Sequence, residues 1–261
     1  MKKSLLELDP QADALLILKC PNLRQVHAQT AGETPKARNN KSTPIKENDT
    51  SKPPKTREDI ALIEPYLENG EPNELEFRVS AKHLCLASPV FRSMINGSFK
   101  ESQPNDEGLL EVRTSEWNAQ ALLIVLDIIH GHHRSVPRRL SRDIIAQIGL
   151  IVDYYDCLEV VQIFGDSWFM NVQNWLLYFF NMWRDNTDSV FKDDETLLLF
   201  IAWSYRSTSA FESLTSSAIF NTECLIETHL PIPTQILACK KILSSDELAV
   251  ASTVLADFSG V

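Results

Sequence analysis

Three histidines fall within four residues in the segment HGHH, and such a cluster is the first place to look for a metal site. His130, His132 and His133 would need a fourth ligand, which Asp127 or Cys157 could supply, because zinc accepts imidazole, carboxylate and thiolate ligands. The spacing of these residues matches none of the common zinc patterns. The metal interpretation is therefore the weaker one, and we expect neither a metal ion nor a cofactor.

A cysteine with a nearby base is the second arrangement that could do chemistry. His83 and Cys85 are two residues apart in a segment with a helical pattern, and residues at this spacing do not share a helix face. We therefore expect Cys85 to pack in the core. The eight glycines are too far apart for a phosphate-binding loop or a GxSxG turn around a nucleophilic serine. These observations predict that the protein is not an enzyme.

A basic stretch overlaps the histidines and is a candidate binding surface. Arginines in such a stretch contact nucleic acid or an acidic partner, and they are also common at protein interfaces. The net charge of −10 argues against general nucleic-acid binding, which needs many Lys and Arg to neutralise phosphates. A solvated loop is the alternative that the sequence leaves open. The stretch consists of His132, His133, Arg134, Arg138, Arg139 and Arg142. Arg134, Arg138 and Arg139 are the candidate partner-binding residues.

Length and composition are those of an ordinary globular chain. Its 261 residues suit one large domain or two modest ones, and 44% hydrophobic residues can form a sizeable core. The five cysteines are odd in number and form no CxxC pair, which indicates free thiols in a reducing compartment. No signal peptide is visible, and no apolar run reaches the roughly 18 residues that span a bilayer. We therefore expect an intracellular protein, in the nucleus or the cytoplasm, that does not associate with membranes.

One segment differs in composition from the rest of the chain. Between residues 28 and 58 the only large apolar residue is Ile45, no residue is aromatic, and four are prolines. Such a segment cannot bury enough surface to offset its conformational entropy, so we predict that it is disordered. Seven Lys or Arg against four Asp or Glu make this insert basic.

Two strand patterns flank the insert. Residues 14–18 form a continuous apolar run, and residues 75–79 alternate so that Glu76 and Arg78 face water while the apolar residues face a core. The two strands can pair across the insert, because doubling the length of a flexible loop costs only about 0.6 kcal/mol. A third strand is predicted at residues 110–113.

Helical patterns fill the remainder. A short pattern covers residues 82–86, and a second begins at Ser88-Pro89, because Ser caps the first amides and Pro suits the first helical position. The segment from Trp117 to Ile129 is apolar on nearly all sides, which predicts a buried central helix. Ser141 is expected to cap the helix that follows. Further helices are predicted at residues 158–168, 175–183, 196–205, 211–220 and from 244 onward.

The order strand, strand, helix, helix, strand and then three helices resembles the BTB/POZ domain, and its fungal branch most. The family's F-x-V strand, the helix after it and the G-x-F-x-E loop are all matched in order and spacing. Two later segments, LLIVLDIIHG and LIVDYYDCLEVVQ, resemble the family's next helices. The matching residues are Phe77, Val79, Leu84, Ser88, Phe91, Gly97, Phe99 and Glu101.

The resemblance implies an α+β fold with a short three-stranded sheet covered by helices, followed by an all-helical C-terminal region. It implies a BTB/POZ-like domain at residues 9–168, interrupted by the insert at 28–58, and a helical extension at 169–261. It also puts the histidines at a helix end and in the loop that follows, where imidazoles can interact with helix carbonyls.

The function implied by the resemblance is protein–protein interaction, as an adaptor or a scaffold, with self-association as one mechanism. In family members that bind cullins, a hydrophobic residue two positions before a Glu packs on the cullin. Phe99, Lys100 and Glu101 fit this pattern, which makes them candidate partner-binding residues and a cullin-type ubiquitin ligase a candidate partner. The alternative is a nuclear regulator that contacts nucleic acid through the basic insert and the arginines.

Overall fold

A mixed four-stranded sheet forms the first part of the computed structural model, which describes residues 4–26, 59–98, 102–168, 193–221 and 228–232. The strands are β1 (Ser4–Glu7), β2 (Ala14–Lys19), β3 (Glu74–Val79) and β4 (Leu110–Ser115), in the spatial order β1-β3-β2-β4. β2 is antiparallel to β3, while β1 is parallel to β3 and β4 is parallel to β2. Together with the helices below, this sheet makes the fold α+β, as predicted.

The sheet corrects two predictions. The sheet has four strands, whereas three were expected. The strand that was not predicted is β1, whose four residues SLLE do not alternate and so carry no strand pattern. Glu76 was expected to face water but is buried, as is Ile17 opposite it on β2, so this face of the sheet is covered as well. The pairing of β2 with β3 across the insert is confirmed, with Leu16 opposite Phe77.

Seven helices lie among the described residues, and most of them begin where the sequence predicts. They are α1 (Ala81–Ala87), α2 (Pro89–Asn96), α3 (Ala119–Ile129), α4 (Arg142–Tyr155), α5 (residues 158–168), α6 (Asp193–Ser204) and α7 (Thr208–Asn221). The helix predicted from Trp117 begins two residues later, since the Asn118 side chain caps it by accepting the Ala121 amide at 2.9 Å. Helices predicted at residues 175–183 and from 244, and the disorder predicted for the insert, lie outside the described residues.

Ser88 joins the start of α2 to the end of α4. Its hydroxyl accepts a hydrogen bond from the Phe91 amide at 3.0 Å and donates one to the Tyr155 carbonyl at 2.5 Å. The first bond satisfies an amide that the helix itself leaves unpaired, and Pro89 at the next position has no amide to satisfy. The second bond fixes where α4 ends relative to α2.

Aromatic side chains pack around this connection. Phe91 stacks on Tyr155 with ring centroids 4.1 Å apart. Tyr155 donates its hydroxyl hydrogen to the Thr114 hydroxyl at 2.9 Å, and the Trp117 indole donates to the same oxygen at 2.7 Å. Burial raises the pKa of Tyr155 to about 12, so the phenol stays a donor at any physiological pH. The cluster therefore connects α2 and α4 to the end of β4.

Asn22 holds the two ends of the insert together. Its side-chain amide donates to the Ile60 carbonyl at 3.3 Å and the Ile63 carbonyl at 2.9 Å, and its oxygen accepts the Ala119 amide at 2.8 Å. Ile60 is fully buried where the described chain resumes. One side chain thus connects the chain before the insert, the chain after it and the start of α3.

The helices beyond residue 168 share their core with the helices before it. In α6, every residue from Leu197 to Ala202 is buried, which requires neighbours on all sides of that helix. Glycines allow close approach: a Cβ on Gly165 of α5 would lie 2.6 Å from the Tyr205 ring. The Tyr205 hydroxyl donates to the Ile145 carbonyl of α4 at 3.0 Å.

None of the helices described by the structure is long and apolar enough to cross a membrane.

Replacing Ser88 with alanine is expected to lower the free energy of unfolding by about 2–3 kcal/mol, because a helix cap is lost and the buried Tyr155 carbonyl loses its donor. Urea titration followed by circular dichroism measures this change. Ser93→Ala is the matched control, since Ser93 is an exposed residue of the same helix. Equal effects of the two substitutions would contradict the bridging role of Ser88.

Replacing Gly165 with alanine is expected to lower the free energy of unfolding by about 1–3 kcal/mol, because the new methyl group overlaps the Tyr205 ring. Gly149→Ala is the comparison and should cost less stability: its Cβ would come no closer than 3.0 Å to the Ser204 hydroxyl and 3.1 Å to the Ser204 Cβ, and alanine also favours the helix. Thermal unfolding of both variants tests the contact. A Gly165→Ala protein at least as stable as the original would show that Tyr205 does not pack there.

Candidate functional site

His130 is a structural connection between α3 and α1. Its Nε2 accepts a hydrogen bond from the Ser80 amide at 3.0 Å, and its Nδ1 donates to the Leu126 carbonyl at 2.8 Å. Both bonds together require the neutral imidazole with its proton on Nδ1. Burial lowers the pKa of His130, and the His83 ring, whose centroid is 5.4 Å away, acts in the same direction. The predicted interaction of a histidine with helix carbonyls is confirmed at this residue.

The other two histidines of the cluster have different neighbours. The His132 Nδ1 lies 3.3 Å from Oδ1 of Asp127, a carboxylate that is almost fully buried. The His133 ring packs edge-on against Phe164, with centroids 5.2 Å apart. Across the described parts of the chain, no three side chains of His, Cys, Asp or Glu are arranged to hold a metal ion.

Two thiols of the described chain, those of Cys85 and Cys157, are poorly suited to nucleophilic chemistry. Burial raises the pKa of Cys85, although Arg92 acts in the opposite direction, and it raises the pKa of Cys157 to about 12. Both side chains therefore remain protonated thiols at neutral pH, whereas the thiolate is the nucleophile and the metal ligand. Cys85 is half-buried and packs against the core, as the sequence predicts.

The predicted basic stretch forms one wall of an open groove of about 450 Å³. The wall is the loop of residues 131–141 between α3 and α4, and the opposite wall is the end of α5. Arg134 and Arg138 line the groove, whereas Arg139 is exposed outside it. The lining residues are His133, Arg134, Val136, Pro137, Arg138, Phe164, Ser167 and Trp168.

Aromatic residues of α5 form the apolar side of the groove. Phe164 and Trp168 are four residues apart on one face of the helix, with ring centroids separated by 6.1 Å. Trp168 is only 1% exposed and donates its indole N–H to the Pro137 carbonyl at 2.8 Å. Trp168 therefore lies behind the groove as part of the core, while the half-buried Phe164 remains accessible.

The loop that carries the arginines is held in place by backbone hydrogen bonds. The His132 amide donates to the Asp127 carbonyl at 2.8 Å, and the Ser135 amide donates to the His132 carbonyl at 2.8 Å. A short 3₁₀ helix at His133–Ser135 follows from this pattern, and Val136 is buried beneath it. Arg134 and Arg138 thus extend from a fixed backbone.

The arginines of the loop have no ionic partner within the described residues. Arg134, Arg138 and Arg139 are exposed, and in the part of the chain that the structure describes no carboxylate lies within 4.0 Å of their guanidinium groups. The flanking helices carry the exposed acids Asp143 and Asp166. The charged residues of the loop itself are all basic, so the loop presents a local basic surface. The net charge of the whole chain is −10.

The remaining candidate residues, Phe99, Lys100 and Glu101, lie outside the described residues, between Ser98 and Ser102. Their role stays a prediction. Sequence reasoning also missed four of the residues that line the groove, namely Val136, Pro137, Phe164 and Ser167. Phe164 is the aromatic one among them. Its position four residues before Trp168 was visible, but only the folded chain brings α5 next to the loop.

No protein-family model matches this chain, and no curated protein matches it. Its function therefore has to be inferred from its own residues.

The stability of the fold is expected to decrease in mild acid because of His130. The pKa of this residue is lower in the folded chain than the ordinary value of 6.5, so the unfolded chain takes up the proton first. Its contribution is complete above about pH 6.5 and falls as the pH drops toward the folded-state pKa. Urea midpoints measured between about pH 8 and pH 5 should therefore fall with acidification.

The variant His130→Gln should reduce this pH dependence, and His133→Gln, which changes an exposed ring, should keep it. An identical pH dependence in the original chain and His130→Gln would contradict the assignment of the neutral tautomer.

Proposed function

We propose that this chain is a protein–protein interaction module of the BTB/POZ type and not an enzyme. One observation carries the proposal: the large apolar residues on which the resemblance depends, among those described, lie together in a single core. Phe77, Val79, Leu84 and Phe91 are all buried, and Ser88 makes the bond between α2 and α4. A chance match of scattered motifs would not be expected to bring these residues together.

The order of the described elements supports the same proposal. From β2 onward the chain runs through β3, α1, α2, β4, α3, α4 and α5, which is the order on which the resemblance rests. The helical patterns beyond α5 agree with an extension of helices, of which α6 and α7 are described. The additional strand β1 extends the sheet at its edge and leaves this order unchanged.

The side chains that could do chemistry have structural roles, which favours a binding function. His130 connects two helices, His132 lies beside Asp127, and Cys85 and Cys157 are thiols whose pKa is raised by burial. The exposed and accessible groups are instead the arginines of the groove, and arginine is enriched at protein interfaces.

The alternative, a nuclear regulator that contacts nucleic acid, has less support. Arg134 and Arg138 could contact phosphates, but Trp168 is too buried to stack on a base. The net charge of −10 opposes the approach of a polyanion. The basic insert on which this alternative also depends lies outside the described residues.

The adaptor mechanism is tested by calorimetry with the N-terminal region of the BTB-binding cullin from the same organism. We expect micromolar or tighter binding that Phe99→Ala and Glu101→Lys both abolish, because a hydrophobic anchor and its neighbouring charge are typical interface hot spots. Gln103→Ala, an exposed residue shortly after these positions, is the control and should bind normally.

Sedimentation velocity over a wide range of protein concentration tests self-association, the second mechanism. A chain that binds no cullin but self-associates would be a scaffold and not an adaptor. A chain that remains monomeric at every concentration and binds no cullin would overturn the proposed function.

A further inference from the structure

We propose that the groove between the α3–α4 loop and α5 binds an acidic, extended peptide segment of a partner protein. The segment would place carboxylates on Arg134 and Arg138 and an apolar side chain on Phe164. This inference rests on the proposed function in protein interaction and adds the chemistry of the partner.

Charge complementarity selects the acidic partner. A guanidinium group presents a planar fork of donors that matches a carboxylate, and such charge-assisted pairs are stronger than neutral hydrogen bonds. Arg134 and Arg138 lie in the same groove, and no carboxylate of the described chain lies within 4.0 Å of either group. As far as the described residues go, both guanidinium groups are therefore available to an incoming carboxylate.

The two walls of the groove differ in character, and this difference orients the peptide. The loop wall carries the two arginines, whereas the α5 wall carries Phe164. The carboxylates should therefore face the loop, and an apolar residue of the peptide should face α5.

A fixed backbone lowers the entropic cost of binding. The loop is held by hydrogen bonds of the His132 and Ser135 amides, and the Trp168 indole holds the Pro137 carbonyl. Binding then has to order only the arginine side chains and the peptide.

A protein segment fits the groove better than a nucleic acid does. Single-stranded nucleic acid is bound by accessible aromatic faces and by a basic track along several phosphates. Here the Trp168 ring is buried, the His133 ring lies edge-on against Phe164, and two arginines line the groove. This geometry offers one small apolar contact and two carboxylate sites.

The test is a selection of random peptides of about ten residues, a length that spans roughly 35 Å when extended, displayed against the purified full chain. The selected peptides should carry at least two Asp or Glu residues beside an apolar residue. Fluorescence anisotropy with the strongest binder should show affinity that falls as salt is added. The same peptide with Asn and Gln in place of its acids should bind at least about tenfold more weakly.

Two charge-reversal variants locate the binding site. The double variant Arg134→Glu and Arg138→Glu should weaken peptide binding at least about tenfold. Arg139→Glu reverses the charge of a neighbouring exposed arginine outside the groove, and it should retain binding within about twofold, an effect typical of charges at the rim. Unchanged thermal unfolding of both variants would confirm that they fold.

Three results would overturn the inference: selected peptides without acids, equal losses in the two variants, or single-stranded DNA that displaces the peptide and binds more tightly. Cullin binding and self-association are measured on the double variant in parallel. If these persist while no acidic peptide is selected, the groove inference fails and the proposed function stands.

Discussion

The hydroxyl group of Ser88 is the constraint on which most of this architecture depends. It accepts from the Phe91 amide and donates to the Tyr155 carbonyl, since a hydroxyl can do both from a single oxygen. The bond places the start of α2 against the end of α4, so that Phe91 can stack on Tyr155. Tyr155 in turn donates to Thr114 at the end of β4. One continuous set of contacts therefore positions the sheet and the helices. Loss of a single partner from this set would leave buried polar groups unpaired.

The groove follows from the same constraints, because its loop connects two helices whose ends are fixed. Asn22 and Asn118 satisfy the first amides of α3, and His130 ties its last turn to the start of α1. Ser141 caps α4, where its hydroxyl accepts the Ile144 amide at 3.4 Å. The arginines between these points are exposed side chains on a backbone with little freedom. A flexible binding loop would lose more entropy when it met its partner.

Local patterns predicted much of the fold and only part of the groove. The paired strands and the caps at Ser88 and Ser141 were visible, because alternation and capping are properties of a few consecutive residues. β1 was not predicted from the sequence, because its four residues do not alternate. This strand is stabilised by its pairing with β3. Phe164 could not be assigned to the groove, because its distance from the arginines depends on how α5 packs against a loop thirty residues earlier in the chain.

The titratable groups of the interior also indicate where function lies. Burial is the largest cause of the raised pKa of Tyr155, Cys157 and Tyr205 and of the lowered pKa of His130, and each shift favours the neutral form. Catalytic sites combine burial with a specific charge partner that prepares a group to exchange a proton. Desolvation alone keeps a group uncharged and serves packing. The groups that remain charged and accessible are on the surface. The groove arginines lie there beside Phe164, and recognition of an acidic partner is the chemistry proposed for them.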